Sequence, residues 1–201
     1  MYKVKTSKTF TEKQEKKIEK YISLATKFNE THNIFVRKNG EEVFNEDIMD
    51  CLPILRAIEP NRSIADLGSG GGLPGILISI TNPNNKISLI ESSQKKCYFL
   101  RLLIDELDLK NTSVINTTIT EKNKLGLFDI ITARAFAQTR RIINLTKNNI
   151  HKKSKYLLLK GKYKKIQEEL QSLDIKKFRY EITKLDHQTK ERNLIMIKKN
   201  E

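Results

Sequence analysis

The chain has 201 residues, of which 38% are hydrophobic and 31% charged, a composition typical of one globular domain with a single core. No apolar run approaches the roughly 20 residues that span a bilayer, and the Lys-rich N-terminus has no apolar signal segment, so we expect a cytoplasmic protein that does not contact a membrane. The formal net charge is +14, and residues 151–201 alone hold 15 basic and 7 acidic side chains.

The pattern of residues 1–60 predicts helices that precede the rest of the chain. One apolar face at helical spacing contains Ile18, Tyr21, Ile22, Ala25 and Phe28. The buried face predicted for a second helix contains Ile48, Cys51, Leu52, Leu55 and Ile58. Pro53 is expected to kink that helix or mark a boundary within it. Between the two helices, Asn39-Gly40 indicates a turn.

From residue 61 onward, short apolar runs alternate with helical patterns, which predicts a parallel sheet flanked by helices. The strands are predicted at 63–67, 87–91, 113–115, 129–132, 156–159, 178–185 and 193–198. The helices are predicted at 75–80, 94–107, 138–149 and 163–173. The last two strands lack a helix-length crossover, so we expect an antiparallel pair that closes the sheet edge. We therefore predict a single domain, 1–201, with an α/β Rossmann-like core of seven mostly parallel strands over 61–201.

A glycine-rich segment, Gly68-Ser69-Gly70-Gly71-Gly72-Leu73-Pro74-Gly75, follows the first strand and opens a helix. Glycines here permit positive φ and allow a ligand to approach the backbone closely. Such a turn beside a helix N-terminus typically cradles a nucleotide-like cofactor. A ligand-free turn is the alternative, but four glycines in five residues would make it entropically costly.

Two acidic residues bear on the identity of the cofactor. Gly70 to Gly75 formally matches the G-x-G-x-x-G dinucleotide pattern, which is weak evidence alone. Asp66 precedes the first glycine by two residues and would repel a pyrophosphate, whereas it suits the positive charges of S-adenosylmethionine. Glu91 ends the next strand and is expected to accept the ribose hydroxyls of either cofactor. These residues favour S-adenosylmethionine over a dinucleotide.

The chain resembles a known family in several separate motifs. They are Asp66 to Gly70 with Gly72 to Ile76, Leu89 to Ser92, Thr132-Ala133-Arg134-Ala135-Phe136, Leu159-Lys160-Gly161 and Glu191 to Leu194. With these residues the chain resembles the glucose-inhibited division protein B (GidB, RsmG) family of bacterial 16S rRNA guanine-N7 methyltransferases over nearly its whole length. The resemblance implies an enzyme that transfers a methyl group from S-adenosylmethionine to N7 of a guanine in small-subunit rRNA.

The resemblance also implies roles for individual positions in the cofactor site. Gly68 and Leu73 match positions that line it, in a loop whose further predicted contacts are Gly70 and Gly72. Ile119 and Thr120 match the pair whose backbone flanks the adenine, although the family often has an acid in place of Thr120. Arg134 matches an arginine near cofactor and substrate, where we expect it to position groups without acting as a base. The alternative for Arg134 is a structural salt bridge to a nearby acid.

In its N-terminal helices the chain departs from the family pattern. Phe28 stands where tryptophan is common. The segment Asp47-Ile48-Met49-Asp50-Cys51 lacks the basic pair that usually precedes Ile-Leu-Asp-Ser. We therefore expect the contacts between the helices and the core to differ here from those of the family.

Four basic residues are candidates for contacting rRNA, namely Lys96, Lys160, Lys164 and Arg192. A solvated surface or a local ion pair is the alternative for each lysine. The basic C-terminal third indicates a polyanion partner. A Lys-, Ile- and Asn-rich composition is, however, also expected from an AT-rich genome.

Some chemistry-bearing patterns do not occur in the sequence. It has neither the Asn/Asp-Pro-Pro-aromatic motif of exocyclic-amine methyltransferases nor a Pro-Cys nucleophile. Cys51 and Cys97 show no metal-ligand spacing, so we expect buried thiols and no metal site. A methyltransferase of another RNA, a protein or a small molecule is the alternative function, as is a non-catalytic RNA-binding module. We expect a monomer.

Overall fold

The computed structural model describes residues 9–34, 36–37, 39–185 and 190–200. None of the helices in these ranges is long and apolar enough to cross a membrane. The helices are α1 (Glu12–His32), α2 (Gly40–Glu42), a π-helix (Val43–Ile48), α3 (Met49–Arg56), α4 (Gly75–Thr81), α5 (Gln94–Glu106), α6 (Thr139–Thr146) and α7 (Tyr163–Leu170). The strands are β1 (Ser63–Leu67), β2 (Lys86–Glu91), β3 (Thr112–Asn116), β4 (Phe128–Arg134), β5 (Ile150–Lys160), β6 (Phe178–Leu185) and β7 (Arg192–Lys199).

The seven strands form one sheet in the order β3-β2-β1-β4-β5-β7-β6. The first five strands are parallel, and β7 pairs antiparallel with both β5 and β6. This confirms the predicted mostly parallel sheet with an antiparallel pair at its edge. Because parallel strands end at one edge, the loops after β1, β2 and β4 meet there, as in other open α/β sheets that bind ligands.

Helix α1 begins with a capping box in which the side chains of Thr11 and Gln14 bond each other's backbone N–H groups. Its predicted apolar face is buried at Ile18, Tyr21, Ile22 and Ala25, with Phe28 partly buried against the same core. Burial on one face explains why this polar, Lys-rich segment is helical, since amphipathic packing contributes more than local propensity.

The two faces of the sheet carry separate hydrophobic cores. The core beneath α1, α3, α4 and α5 includes Ile64 and Ile130, and the core beneath α6 and α7 includes Ala65 and Ala133. Successive strand residues point to opposite faces. Asp66 on β1 and Arg134 on β4 therefore lie on the same face as the N-terminal helices.

Three predicted features differ from the structure. Asn39 does not form a turn but caps a helix, because its side chain accepts a hydrogen bond from the Glu42 N–H. Strand β5 begins at Ile150, six residues before the predicted start, because Ile150 pairs with Phe128 ahead of a register shift in the polar segment that follows. Pro53 lies inside α3, and α3 itself begins directly after a π-helix that the sequence periodicity did not indicate.

Candidate functional site

The glycine loop connects β1 to α4 at the carboxyl edge of the sheet. Gly68, Gly70 and Gly72 all have positive φ, at 64°, 55° and 101°. Two contacts hold the loop in place: the Gly68 N–H donates to the Ile90 carbonyl at 2.8 Å, and the Tyr21 hydroxyl donates to the Gly71 carbonyl at 2.9 Å. The conformation is thus fixed from both the neighbouring strand and α1.

A side chain would meet different surroundings at each glycine. At Gly68, a Cβ would lie 2.4 Å from the Phe136 ring, and at Gly72 it would lie 2.7 Å from Ile76. At Gly70, the nearest atom would be 3.6 Å away. Gly68 and Gly72 are therefore required by the packing of the protein itself. Gly70 leaves open space at which a ligand can approach the backbone.

Asp66 lies beneath the loop and is only 1% exposed. Its Oδ2 accepts a hydrogen bond from the Gly75 N–H at 3.2 Å, at the first residue of α4. Its Oδ1 has no hydrogen-bond partner among the described residues. Burial raises the pKa of this carboxyl to about 7. The site thus contains a buried acid that gains from a donor or a positive charge close by.

Glu91 ends β2 beside the same loop. Its Oε2 accepts from the Gly70 N–H at 3.0 Å, and its Oε1 accepts from the Ser93 N–H at 2.9 Å. The carboxylate therefore ties the glycine loop to the start of α5. Oε1 also accepts from the Ser92 hydroxyl at 3.5 Å, so Oε2 is the oxygen that keeps a second lone pair for a ligand hydroxyl.

An open cleft of about 610 Å³ borders the loop. Its lining includes Gly68, Gly70, Leu73, Lys96, Arg134, Lys160 and Arg192. This volume lies within the range of small-molecule and cofactor sites. Of the residues that the sequence predicted, the structure brings these seven together, while Asp66, Gly72 and Glu91 support the loop from below and beside it.

Arg134, at the end of β4, is held by an acid from the N-terminal helices. Its Nη1 lies 2.5 Å from Asp47 Oδ1. Arg37 binds the same carboxylate through Nε at 2.7 Å and Nη2 at 2.9 Å. Burial tends to raise the pKa of Asp47, but its hydrogen bonds to Arg37 and Arg134 outweigh this and lower it. The carboxylate stays charged and fixes the direction of the Arg134 guanidinium.

Asp47 stands in the segment where the chain lacks the family's basic pair. Its partners Arg37 and Arg134 lie 10 and 87 residues away. A salt bridge from Arg134 to a nearby acid was the alternative expected from the sequence, but Asp47 was not identified as that acid. The pairing of Asp47 with Arg37 was not expected, and only the acid in place of a base gave a local signal. Residues 1–60 therefore contribute to one wall of the cleft through the ion pairs of Asp47.

The four predicted RNA contacts have different environments. Arg192 binds Asp50 at 2.8 Å across the cleft wall. Lys160 bonds Glu169 at 2.8 Å and the Ala137 carbonyl at 2.6 Å, with only 13% of its side chain exposed. Its ammonium is therefore already paired within the protein, and its predicted contact with rRNA stays a prediction. Lys96 lines the cleft, whereas Lys164 lies exposed on α7 outside it.

Ile119 and Thr120 lie in the loop after β3. Ile119 is buried in the core beneath α6 and α7, and Thr120 is exposed. The backbone N–H and hydroxyl of Thr120 both donate to Asn123 Oδ1. Neither residue belongs to the described lining of the cleft, so their predicted place beside the adenine stays a prediction.

Both cysteines are free and buried, as predicted. Over the described ranges, no group of three or more His, Cys, Asp or Glu side chains is arranged to hold a metal ion.

Comparisons with known proteins agree with this geometry. The family described as rRNA small subunit methyltransferase G matches residues 14–196. A protein of that name from Brachyspira hyodysenteriae is 40% identical over 92% of this chain and 91% of its own length. Another from Francisella tularensis is 33% identical over 89% of this chain and 85% of its own length.

Solved structures resemble the fold at low sequence identity. A SAM-dependent methyltransferase from Aquifex aeolicus has a TM-score of 0.63 at 12% identity, over 78% of this chain and 92% of that one. A precorrin-6y C5,15-methyltransferase from Geobacter metallireducens has a TM-score of 0.58 at 14% identity, over 76% and 86%. At such identities the likeness shows the fold of the chain and nothing of its substrate.

Proposed function

The chain belongs to the rRNA small subunit methyltransferase G family, and on that premise we propose that its carboxyl-edge cleft transfers a methyl group from S-adenosylmethionine to N7 of a guanine in 16S rRNA. The observation that carries the proposal is the combination at the glycine loop. Gly70 leaves open space, and the buried Asp66 carboxylate beside it has an oxygen without a partner in the described ranges.

The residues of the cleft fit S-adenosylmethionine, which supplies an electrophilic methyl group on a positively charged sulfur when bound. Gly68, Gly70 and Leu73 provide the backbone surface against which the cofactor rests. Asp66 stabilises positive charge, since an anion acts strongly where water is excluded. Glu91, at the end of β2, accepts the ribose hydroxyls, while Ile119 and Thr120 flank the adenine.

The reaction needs no general base. Guanine N7 has a free lone pair and no proton at neutral pH, so attack on the methyl group leaves no proton to remove. The protein must align the two reactants and exclude water. Alignment of this kind contributes about 7–11 kcal/mol to lowering a barrier.

Arg134 is the group we assign to alignment. Its guanidinium stays charged at any working pH, so it positions the guanine without acting as an acid or base. Asp47 and Arg37 form the support that orients it. The target base must be unstacked or looped out to reach the cleft, because a duplex shields it.

Lys96 and Arg192 face the cleft and would contact the rRNA near the methylated base, with Lys164 further out on α7. For Lys160, the ion pair with Glu169 favours a supporting role at the cleft wall. We further propose that the enzyme works as a cytoplasmic monomer on the rRNA of the small subunit.

The experiment compares substrates. Isothermal titration first measures S-adenosylmethionine binding, and methyl-labelled cofactor is then incubated with naked 16S rRNA, 30S subunits and total protein. We expect label in rRNA. Label in protein alone would establish a protein methyltransferase, and cofactor binding without any transfer would indicate a non-catalytic module.

A further inference from the structure

A second, larger cleft lies at the opposite edge of the sheet, where β1, β4 and β5 begin. Its volume is about 970 Å³, and no function has been assigned to it in the account above. Its lining contains nine basic side chains: Arg62, Lys152, Lys153, Lys155, Lys176, Lys177, Arg179, Lys198 and Lys199. We call it the amino-edge cleft. Most of its basic residues belong to residues 151–201, the part of the chain with the largest excess of basic over acidic side chains.

Three of these cations form a row across neighbouring strands. Lys155 on β5 is directly opposite Lys198 on β7, which in turn is directly opposite Arg179 on β6. Opposed residues of antiparallel strands point to the same face, with Cβ atoms about 4.5–5.5 Å apart. Like charges in this arrangement destabilise a sheet. The juxtaposition of Lys198 and Arg179 is therefore unfavourable without an anion.

The acids of the cleft neutralise Lys155, the inner position of this row, but not the outer two. Glu59 pairs with Lys155 at 2.8 Å, and Asp129 is engaged by Ser63 and His151. Lys198 and Arg179 have no acidic partner within the described ranges. The positive charge at the outer two positions of the row is therefore available to a ligand.

Strand β5 extends the positive surface beyond the row. Its pairing with β4 shifts register between Phe128 and Ile130, and its first half carries the exposed Lys152 and Lys153. Adjacent strands lie about 4.8 Å apart, so the row alone spans about 10 Å. Lys152 and Lys153 line the same cleft as the row, and this number of cations suits a series of phosphates better than a single one.

We propose that the amino-edge cleft binds the phosphate backbone of small-subunit rRNA, at a segment separate from the one that is methylated. Register places Lys155 beside Ile130 and Leu159 beside Arg134, four residues further along. At about 3.3 Å per residue, the row lies about 13 Å along the strands from Arg134. The two clefts open at opposite edges, so the occupant is a folded RNA that reaches both.

This assignment of the occupant rests on the proposed function, because rRNA is the substrate of the other cleft. The contact is electrostatic and independent of sequence, and it raises affinity without entering the reaction. Losing it raises the KM for large folded rRNA and leaves kcat unchanged.

The test uses two double variants of equal charge. Arg179→Ala with Lys198→Ala removes the outer two cations of the row. Lys13→Ala with Lys16→Ala removes two exposed cations on α1, far along the chain, and serves as the matched control. Binding of full-length 16S rRNA is measured against salt concentration, alongside S-adenosylmethionine affinity, kcat and thermal melting.

We expect the row variant to bind rRNA at least tenfold more weakly at low salt. Its plot of log K against log salt should flatten by about 1.4–1.8, because each neutralised phosphate contributes about 0.7–0.9. Cofactor affinity and kcat at saturating rRNA should match the wild type, and the melting temperature should be equal or higher because repulsion is relieved.

Three outcomes would overturn the inference. One is a row variant whose rRNA affinity and salt slope equal those of the control. Another is a lower kcat at saturating rRNA, which would place the row in the catalytic machinery. The third is a row variant that no longer binds tripolyphosphate, titrated separately, but binds rRNA as the wild type does. That result would assign the cleft to a free polyphosphate. A wild-type protein that binds rRNA through the row but transfers no methyl group would refute the proposed function alone.

Discussion

Gly70 offers the sharpest test of the cofactor site, through substitution with alanine. Its φ is 55°, and a Cβ there would meet no atom of the protein closer than 3.6 Å. The backbone strain of a side chain in this conformation costs about 1–2 kcal/mol. For a chain of this size, that lowers the melting temperature by about 2–8 °C. The folded protein should therefore persist, with its cleft partly filled by the new methyl group.

Cofactor binding should suffer more than stability. A methyl group forced into a packed contact costs about 1–3 kcal/mol. That corresponds to about a 5- to 150-fold weaker Kd for S-adenosylmethionine, since each 1.4 kcal/mol is tenfold. Isothermal titration measures the Kd, and Gly70→Val should weaken it further.

Gly126→Ala is the matched control. Gly126 has a φ of 119° and open space around its Cβ position, in the loop that precedes β4. It should lose stability of the same order and keep normal cofactor affinity. If Gly70→Ala bound S-adenosylmethionine as tightly as Gly126→Ala, the glycine loop would not be the cofactor site. Gly68→Val is a poorer probe than Gly70→Ala, because a Cβ at Gly68 would collide with Phe136.

Asp66→Asn should weaken S-adenosylmethionine binding yet raise the melting temperature at pH 8. The pKa of Asp66 is raised to about 7, so its carboxyl stabilises the fold fully below its ordinary pKa and loses that contribution as pH rises through 7. The test is isothermal titration of the cofactor and thermal melting of both proteins across pH 5–8. If neither the Kd nor the melting temperature of Asp66→Asn differed from the wild type, this reasoning would be wrong. Arg134→Lys should cut the single-turnover rate sharply. With cofactor and RNA both saturating, that rate should stay flat between about pH 6.5 and 8.5 in the wild type and in the variant. A log-linear rise of the rate with pH, removed by mutating one His, Asp or Glu, would establish a general base. Lys164→Ala should flatten the plot of log K for rRNA binding against log salt by about 0.7–0.9. Lys160→Ala should instead lower the melting temperature, because it removes the ion pair with Glu169. A flatter plot for Lys160→Ala and a lower melting temperature for Lys164→Ala would contradict the environments assigned to them.

Local patterns were sufficient to predict most of the fold. Strand β1 was predicted at its observed bounds because short apolar runs between turn signals identify buried strands. Strand β5 was predicted too short, because His151 to Lys153 are polar and its first pair, Ile150 with Phe128, lies beyond them. The π-helix at Val43–Ile48 has no distinctive periodicity of its own.

The candidate site was predictable where it depends on neighbours in sequence. The glycine loop and Asp66 belong to one continuous segment, so their role in binding a cofactor could be predicted from that segment alone. The support of Arg134 by Asp47 joins residues 87 apart, and the cation row joins three strands. Such pairings depend on sheet order and register, which no local pattern specifies.

The most direct test of the central claim is the identity of the methylated nucleoside. Unmethylated 16S rRNA is incubated with the purified protein and isotope-labelled S-adenosylmethionine, digested to nucleosides, and analysed by chromatography and mass spectrometry against authentic standards. The account predicts that the label co-elutes with 7-methylguanosine and that Arg134→Lys strongly reduces it. Label in any other nucleoside, or none in rRNA while the protein binds the cofactor, would contradict the account.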